Sequence, residues 1–227
     1  MKAKDFKIPF SFEQRRPYLA DQVLYVPIHY HAYDQFKLPS FSDLFGNVHP
    51  VSVEYCSGNG DWVVAQAQSE PNRNWIAVEK RLDRVGKIWA KLKKLQLKNL
   101  LIVCGEAYTF THHYLLAHTL EGVFIHFPDP WPKACHSKHR LLKSRFLDEM
   151  SRVLIQGKGV TFVSDDIRYL NSTVDVFKSH PCFVPTLPAP HFRTEDSSYG
   201  GSWFENLWRE KGRQIHSTYF VKYADPL

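Results

Sequence analysis

Five short runs of β-branched and apolar residues recur along the chain, and the segments between them are long enough to form helices. The runs are VSVEYC (51–56), NWIAVE (74–79), NLLIVC (99–104), GVFIHF (122–127) and GVTFVS (159–164). One intervening segment, from Leu82 to Leu95, places apolar residues at helical spacing. This alternation predicts a mostly parallel sheet with right-handed helical crossovers on both of its faces. A ligand site of such a sheet is expected at the carboxyl ends of its strands.

The last third of the chain predicts further elements and one long loop. Apolar residues from Leu142 to Leu154 fit one helix face, and we expect that helix to end at a glycine turn at residues 156–159. Residues 181–201 are rich in proline and turn-forming residues, and we interpret them as a long functional loop. Residues 203–211 then predict a short helix, and residues 216–223 predict a final strand that could be antiparallel to the others.

Length and composition indicate one globular domain without a membrane span. At 227 residues and 44% apolar content, the chain can bury one core. No run approaches the roughly 18 uninterrupted apolar residues of a spanning helix, and no apolar stretch follows the first lysines as in a secretory signal. We therefore expect a cytoplasmic protein that does not bind membranes. The net charge of +6 favours a polyanionic partner, but only weakly.

A glycine turn follows the first of the five runs. Gly58 and Gly60 would let the backbone approach a ligand closely before the next helix begins. Glu79 ends the second run, where a carboxylate can accept both hydroxyl hydrogens of an adenosine ribose. A dinucleotide site is disfavoured because Val63 stands where its third glycine would be. Glu106, after the third run, could accept from an adenine amino group. The alternative interpretation is an ordinary strand-to-helix turn with solvated glutamates.

The most specific segment is FPDPWPK at residues 127–133, where the fourth run ends. Its three prolines fix φ and remove backbone donors, so the loop can hold Asp129 and Trp131 against a flat base. A basic stretch with two histidines follows at residues 136–140. The alternative is a rigid surface turn with a packing tryptophan.

Metal binding is not expected near this loop. Cys135, His136 and His139 are possible ligands, but no fourth ligand recurs at zinc spacing, and the neighbouring lysines and arginine would repel a cation. The four cysteines include no C-x-x-C pair, which argues against a zinc ribbon and against a disulfide framework. We expect free thiols, most of them buried.

The strand-end FPDPWPK with its histidine and basic cluster resembles the hallmark of the bacterial tRNA (guanine-N7)-methyltransferases. The resemblance extends over residues 48–223, with Asp165 after the fifth run and with Ser202-Trp203-Phe204-Glu205 similar to the family's Thr-x-x-Glu element. It implies the Rossmann-like class I methyltransferase fold, which has three α/β/α layers and a mostly parallel seven-stranded sheet with an antiparallel C-terminal strand. Residues 1–47 would then form an N-terminal arm and lead-in segment, and residues 48–227 the methyltransferase domain.

The resemblance also implies the cofactor and the site residues. The S-adenosylmethionine site would contain Glu54, Gly58, Gly60, Glu79, Glu106 and Asp129. The tRNA substrate site would contain Lys133, Asp165, Ser202 and Glu205. Asp129 would be the catalytic residue. The chain differs from the family pattern at Cys56, where a first glycine is usual, at Glu106, where aspartate is usual, and at Ser202, where threonine is usual.

The resulting hypothesis is an S-adenosylmethionine-dependent enzyme that methylates N7 of a guanine in the variable loop of tRNA, as a monomer or weak homodimer. Two alternatives stay open. One is an adenine N6 methyltransferase, which also places an acid or amide beside proline and an aromatic residue at this strand end. The other is a non-catalytic RNA-binding homologue.

A row of basic residues at helical spacing lies opposite the apolar stripe of the helix after the second run. Its members are Lys80, Arg84, Lys87, Lys91, Lys94 and Lys98. We call this row the basic face. It could follow the tRNA backbone, or it could simply be solvated.

Overall fold

The structure is a computed structural model that describes residues 2–8, 15–195 and 200–224. The chain divides into two compact units, Met1–Leu115 and Leu116–Leu227. No helix within the described residues is long and apolar enough to cross a membrane.

The first unit contains five strands and four α-helices in its described part. The strands are β1 (Tyr18–Ala20), β2 (Val23–Tyr25), β3 (Val51–Tyr55), β4 (Asn74–Glu79) and β5 (Leu100–Cys104). The helices are α1 (Phe41–Phe45), α2 (Asp61–Ser69), α3 (Leu82–Leu95) and α4 (Ala107–Tyr114), with 3-10 turns at Ala3–Asp5 and Tyr33–Gln35. The strand order is β1-β2-β5-β4-β3, and only β1 is antiparallel to its neighbour.

The central strands of this unit are buried along their whole length. Every residue of β3, β4 and β5 is buried, as expected of parallel strands that helices cover on both faces. Helix α3 turns Val85, Ile88, Trp89 and Leu92 inward, so the predicted apolar stripe is confirmed. The carboxyl ends of β3, β4 and β5 therefore meet at one edge of a rigid sheet.

Gly60 is required where α2 begins because α3 packs against it. Its φ is +75°, and a Cβ atom added there would lie 2.6 Å from Cγ1 of the buried Ile88. Gly60 also carries the carbonyl that accepts the amide of Val64 at 3.1 Å, in the first turn of α2. The glycine thus serves the packing of α2 on α3, which the sequence alone did not indicate.

The second unit also contains five strands in its described part. They are β6 (Leu120–His126), β7 (Leu154–Ser164), β8 (Phe183–Pro185), β9 (Arg193–Thr194) and β10 (His216–Lys222). The helices are α5 (Ser144–Val153), α6 (Ile167–Lys178) and α7 (Trp203–Glu210), with a 3-10 helix at Ala134–His139. Strands β6 and β7 are parallel, whereas β10 is antiparallel to β7, β8 and β9.

The predicted fold class is confirmed: the chain is α/β, with mostly parallel strands and an antiparallel C-terminal strand. Strands β3 to β8 and β10 make up the expected seven. The short strands β1, β2 and β9 add to them among the described residues. The predicted loop at residues 181–201 contains β8 and β9, and its residues 196–199 lie outside the described part.

The predicted glycine stop after α5 is wrong. Helix α5 ends at Val153, and the next residue, Leu154, is already extended and pairs with Leu120 in the parallel ladder. The buried Lys222 also donates a hydrogen bond from Nζ to the carbonyl of Leu154 at 2.9 Å. Gly157, with φ of +80°, lies inside β7. Strand pairing therefore begins before the glycine.

The four cysteines form no disulfide, in agreement with the prediction. Cys104 and Cys182 are buried, Cys56 is partly buried and Cys135 is exposed, so the expectation that most of the thiols are buried is wrong.

We expect Gly60→Ala to lower the free energy of unfolding more than Gly212→Ala does. Both glycines have φ near +70°, which costs an alanine about 1–2 kcal/mol. Only Gly60 would also meet a neighbour, and overpacking adds about 1–3 kcal/mol, whereas no atom lies within 4 Å of a Cβ at Gly212. Urea unfolding of both variants without ligand measures the difference. Equal destabilisation would contradict the packing role of Gly60.

Candidate functional site

Carboxylates lie at the carboxyl ends of three adjacent strands in the first unit. Glu54 is in β3 opposite Ala77 of β4, and Glu79 ends β4 opposite Cys104 of β5. Glu54 and Glu79 are 2% and 4% exposed, so both are buried charged groups. Glu106 follows β5 and begins α4. The structure thus brings the three predicted glutamates of this unit to one sheet edge.

The carboxylate of Glu79 is held by two backbone amides. Its Oε2 accepts from the amide of Gly58 at 2.9 Å, and its Oε1 accepts from the amide of Arg81 at 2.9 Å. The guanidinium of Arg84 lies 3.7 Å from Oε2. Each carboxylate oxygen has two lone pairs, so each retains one for a ligand. A pair of vicinal hydroxyls matches these two acceptors.

The turn between β3 and α2 has a left-handed backbone at three of five positions. Cys56, Gly58 and Gly60 have φ values of +62°, +56° and +75°. At Cys56, where a glycine is usual in the family pattern, this conformation costs an L-residue about 1–2 kcal/mol. The amide of Ser57 donates to the carbonyl of Val78 at 3.1 Å and fastens the turn to β4.

Glu106 is the N-cap of α4. Its Oε2 accepts from the amide of Thr109 at 2.7 Å and from the hydroxyl of Thr109 at 2.8 Å. A carboxylate at this position also interacts favourably with the helix dipole. The cap does not use Oε1, so the predicted contact with an adenine amino group is compatible with this role.

Cys104 ends β5 but does not supply a nucleophile. Burial, together with the negative charge of Glu79, raises the pKa of its thiol to about 12. The thiol therefore stays protonated at neutral pH.

In the second unit, the FPDPWPK loop is held in an uncommon backbone conformation. Phe127 and Trp131 both have positive φ, +47° and +44°, and the amide of Phe127 donates to the carbonyl of Val163 at 2.9 Å. Between them Pro128 is buried whereas Asp129 is exposed. Strained non-glycine residues persist where the surrounding structure fixes them, and they are frequent at functional sites.

Arg140 connects this loop to α6. Its Nε donates to the carbonyl of Pro130 at 2.9 Å, and its Nη1 donates to Oγ of Ser172 at 3.0 Å. Its guanidinium lies over the ring of Tyr169 at 4.9 Å. The sequence grouped Arg140 with a basic cluster, and its supporting role was missed because the contacts to α6 are distant in sequence.

The aromatic side of the loop faces its own histidines. The ring of Trp131 lies 5.1 Å from that of His139 and 5.9 Å from that of His136. Lys133 is exposed, and its carbonyl accepts from the amide of His136 at 2.9 Å. The backbone of Lys133 thus takes part in the turn, while its side chain is exposed to solvent.

Asp165 follows β7 and forms an ion pair with Arg213. Its side chain is 7% exposed, whereas that of Arg213 is 49% exposed. The neighbouring His216 is paired with Ser164 in the β7–β10 ladder. Burial lowers the pKa of His216, and the charges of Glu195 and Asp165 partly oppose that effect.

Ser202 and Glu205 form the start of α7. Oγ of Ser202 accepts from the amide of Glu205 at 3.0 Å, and Oε2 of Glu205 accepts from the amide of Gly201 at 2.9 Å. Nε of Arg209 donates to Oε1 of Glu205 at 2.9 Å. Both oxygens of this buried carboxylate are therefore engaged. The arrangement explains the three-residue spacing between Ser202 and Glu205 as a helix cap.

The predicted site residues thus fall into two groups. Glu54, Gly58, Gly60, Glu79 and Glu106 lie in the first unit. Asp129, Lys133, Asp165, Ser202 and Glu205 lie in the second. Their roles toward ligands stay predictions. In the part of the chain that the structure describes, no group of three or more histidines, cysteines and acids is placed to hold a metal ion.

Comparisons with known proteins agree with the resemblance. A family model described as "Putative methyltransferase" matches residues 48–218. The tRNA (guanine-N(7)-)-methyltransferase of Chlamydia caviae is 49% identical, over 98% of this chain and 98% of its own length. That of Chlamydia abortus is 48% identical with the same coverage.

A solved structure of an antibiotic-related methyltransferase shares the fold. Its TM-score is 0.56 at 14% identity, and the match covers 87% of this chain and 97% of the other. This likeness concerns the fold alone, whereas the sequence identity to the chlamydial enzymes extends over nearly the whole chain. The chain belongs to the tRNA (guanine-N7-)-methyltransferase family.

Proposed function

We propose that this chain transfers a methyl group from S-adenosylmethionine to N7 of a guanine in the variable loop of tRNA, giving 7-methylguanosine. The observation that carries the proposal is the FPDPWPK loop, which is fixed at Phe127 and Pro130 and leaves Asp129 exposed. We further propose a cytoplasmic enzyme that acts as a monomer or weak homodimer, with residues 1–47 as an arm and residues 48–227 as the catalytic domain.

The residues of the first unit fit the cofactor. Glu79 keeps one lone pair on each oxygen for the two ribose hydroxyls, and Oε1 of Glu106 can accept from the adenine amino group. Gly58 and Gly60 give the turn its left-handed backbone, and Glu54 adds a buried carboxylate at the same edge. When bound, S-adenosylmethionine supplies a methyl group on a positively charged sulfur.

Positioning supplies most of the catalysis in this proposal. N7 of a neutral guanine already carries an exposed lone pair, so no general base is needed. Alignment of the two reactants can lower the barrier by roughly 7–11 kcal/mol. Asp129 acts as the catalytic residue because a fixed carboxylate favours the positive charge that develops on the purine.

Recognition of guanine requires acceptors for its N1 and N2 hydrogens. Asp165 and Glu205 fill this role in the proposal, and both are buried acids whose orientation Arg213 and Arg209 fix. Ser202 holds the helix cap that places Glu205. An adenine offers no matching N1 hydrogen, so these acids discriminate against it.

Two further residues, both in the FPDPWPK loop, contact the base and the backbone of the tRNA in the proposal. Trp131 provides a stacking surface for a base that has been turned out of the tRNA fold. Lys133, which is exposed, binds a phosphate.

The proposal is tested by incubating the purified chain with labelled S-adenosylmethionine and unmodified tRNA, followed by nucleoside analysis. We expect label in 7-methylguanosine, and no label in a control tRNA in which adenine replaces the variable-loop guanine. Label in N6-methyladenosine would identify an adenine methyltransferase instead. Binding of tRNA without any transfer or cofactor binding would identify a non-catalytic RNA-binding protein.

We expect Asp129→Asn to lower kcat by about a hundredfold, because the amide keeps the size of the side chain but lacks the charge. The dissociation constant for tRNA should change little. Single-turnover methyl transfer at saturating cofactor measures the chemical step. Asp175→Asn, at an exposed position of α6, serves as the matched control. A kcat for Asp129→Asn within twofold of the wild type rules out this role.

We expect Lys133→Ala to raise the KM for tRNA and to reduce the slope of log affinity against log salt by about one, as for the loss of one phosphate contact. Binding titrations at several salt concentrations measure both effects. Lys178→Ala, exposed at the end of α6, provides the comparison. An unchanged slope for Lys133→Ala would argue against the phosphate contact.

A further inference from the structure

Two lysines of α3 contact the glycine turn between β3 and α2. Nζ of Lys91 donates to the carbonyl of Asn59 at 2.8 Å and to Oδ1 of Asp61 at 2.6 Å. Nζ of Lys87 donates to Oδ1 of Asn59 at 3.1 Å. Both lysines belong to the basic face, so part of this face is directed at the protein's own turn.

The contact is built into the packing of α3 on the turn. Ile88 lies between the two lysines in sequence and packs against Gly60, where no Cβ would fit. Lys91 follows Lys87 by four residues and Ile88 by three, so it lies one helical turn from each and is a neighbour of both on the surface of α3. The side chain of Lys91 is 33% exposed and that of Asp61 is 36% exposed, so the ion pair is only partly screened by solvent.

The turn is also held by the carboxylate of Glu79. The amide of Gly58 donates to Oε2 of Glu79, the carboxylate that we assign to the ribose. Asn59, the next residue, is held by Lys87 and Lys91. The turn therefore has one anchor at the carboxylate and one at α3. Its left-handed positions at Cys56, Gly58 and Gly60 are conformations that an unanchored chain would populate only in part.

We propose that Lys91, assisted by Lys87, is a positioning residue for the cofactor: it holds the backbone of residues 58–60 in the conformation that binds S-adenosylmethionine. The inference rests on the proposed function in so far as it takes this turn to be the cofactor turn. It also gives two members of the basic face a role that does not involve tRNA.

The test measures cofactor affinity directly by calorimetric titration of the full chain with S-adenosylmethionine. We expect Lys91→Met to weaken binding about three- to tenfold, because a partly buried charge-assisted hydrogen bond to the turn is lost. Lys87→Met, at an exposed side chain with one bond to the turn, should weaken binding about twofold. Lys94→Met, exposed on the same helix, is the matched control and should bind like the wild type.

Steady-state kinetics separate positioning from a general structural role. In Lys91→Met, the KM for S-adenosylmethionine should rise with its dissociation constant, whereas kcat and the KM for tRNA stay within twofold. A lower kcat together with higher KM values for both substrates and a lower Tm would overturn the proposal. Unchanged cofactor affinity would overturn it as well. If Lys91→Met does not fold, unchanged affinity in Lys87→Met overturns it.

The cofactor titration needs no tRNA, so it also separates this inference from the proposed function. A wild-type chain that binds S-adenosylmethionine but transfers no methyl group to tRNA would contradict the proposed function, while weaker binding in Lys91→Met would still support the positioning role. A wild-type chain that does not bind the cofactor would overturn the positioning role.

Discussion

The hydrogen bonds from the Gly58 and Arg81 amides to the Glu79 carboxylate determine the geometry of the first unit's strand-end edge. A buried carboxylate is costly unless hydrogen bonds satisfy it, and Glu79 is 4% exposed. The two amides meet this requirement, and in doing so they fasten the turn after β3 and the start of α3 to the end of β4. Parallel pairing of β3, β4 and β5 then places Glu54 and Glu106 at the same edge. The arrangement of this edge therefore follows from the hydrogen bonds that one buried carboxylate requires.

The same logic governs the FPDPWPK loop of the second unit. The three prolines remove backbone donors from the loop, so hydrogen bonds within the loop do little to hold it in place. External groups do so instead: the carbonyl of Val163 accepts from Phe127, and Arg140 donates to the carbonyl of Pro130. These contacts stabilise the positive φ angles at Phe127 and Trp131. Asp129 is exposed, and contacts at Phe127 and Pro130 hold the backbone before and after it.

The sequence predicted the central strands well because fully buried parallel strands are continuous apolar runs, as in β3, β4 and β5. It missed β1, β2, β8 and β9, whose two or three residues give no periodicity. It misplaced the end of α5 because Gly157 looks like a helix stop, whereas the pairing of Leu154 with Leu120 decides the boundary. The periodicity of the sequence could not indicate the contacts of Arg140 and Lys91. Both depend on contacts about 30 residues apart in sequence, such as Lys91 with Asp61.

Several predicted ligand-binding acids also have structural tasks, and this affects how their variants can be interpreted. In Glu79 both oxygens accept from backbone amides, so a glutamine there would turn its NH₂ group toward one of these donors. In Glu205 both oxygens are likewise engaged, by Gly201 and Arg209. If a variant at either position lost activity, the loss could come from local disruption or from a missing ligand contact, and the measurement would not separate the two.

Glu106 is different, because its cap uses Oε2 alone. A glutamine can keep that cap through its amide oxygen and present its NH₂ group where Oε1 stood. In the proposed cofactor site, the substitution would then replace an acceptor of the adenine amino group by a donor, while it preserves the helix start. Among the acids at this edge, Glu106 is therefore the position where the ligand contact and the structural contact can be separated by a single substitution.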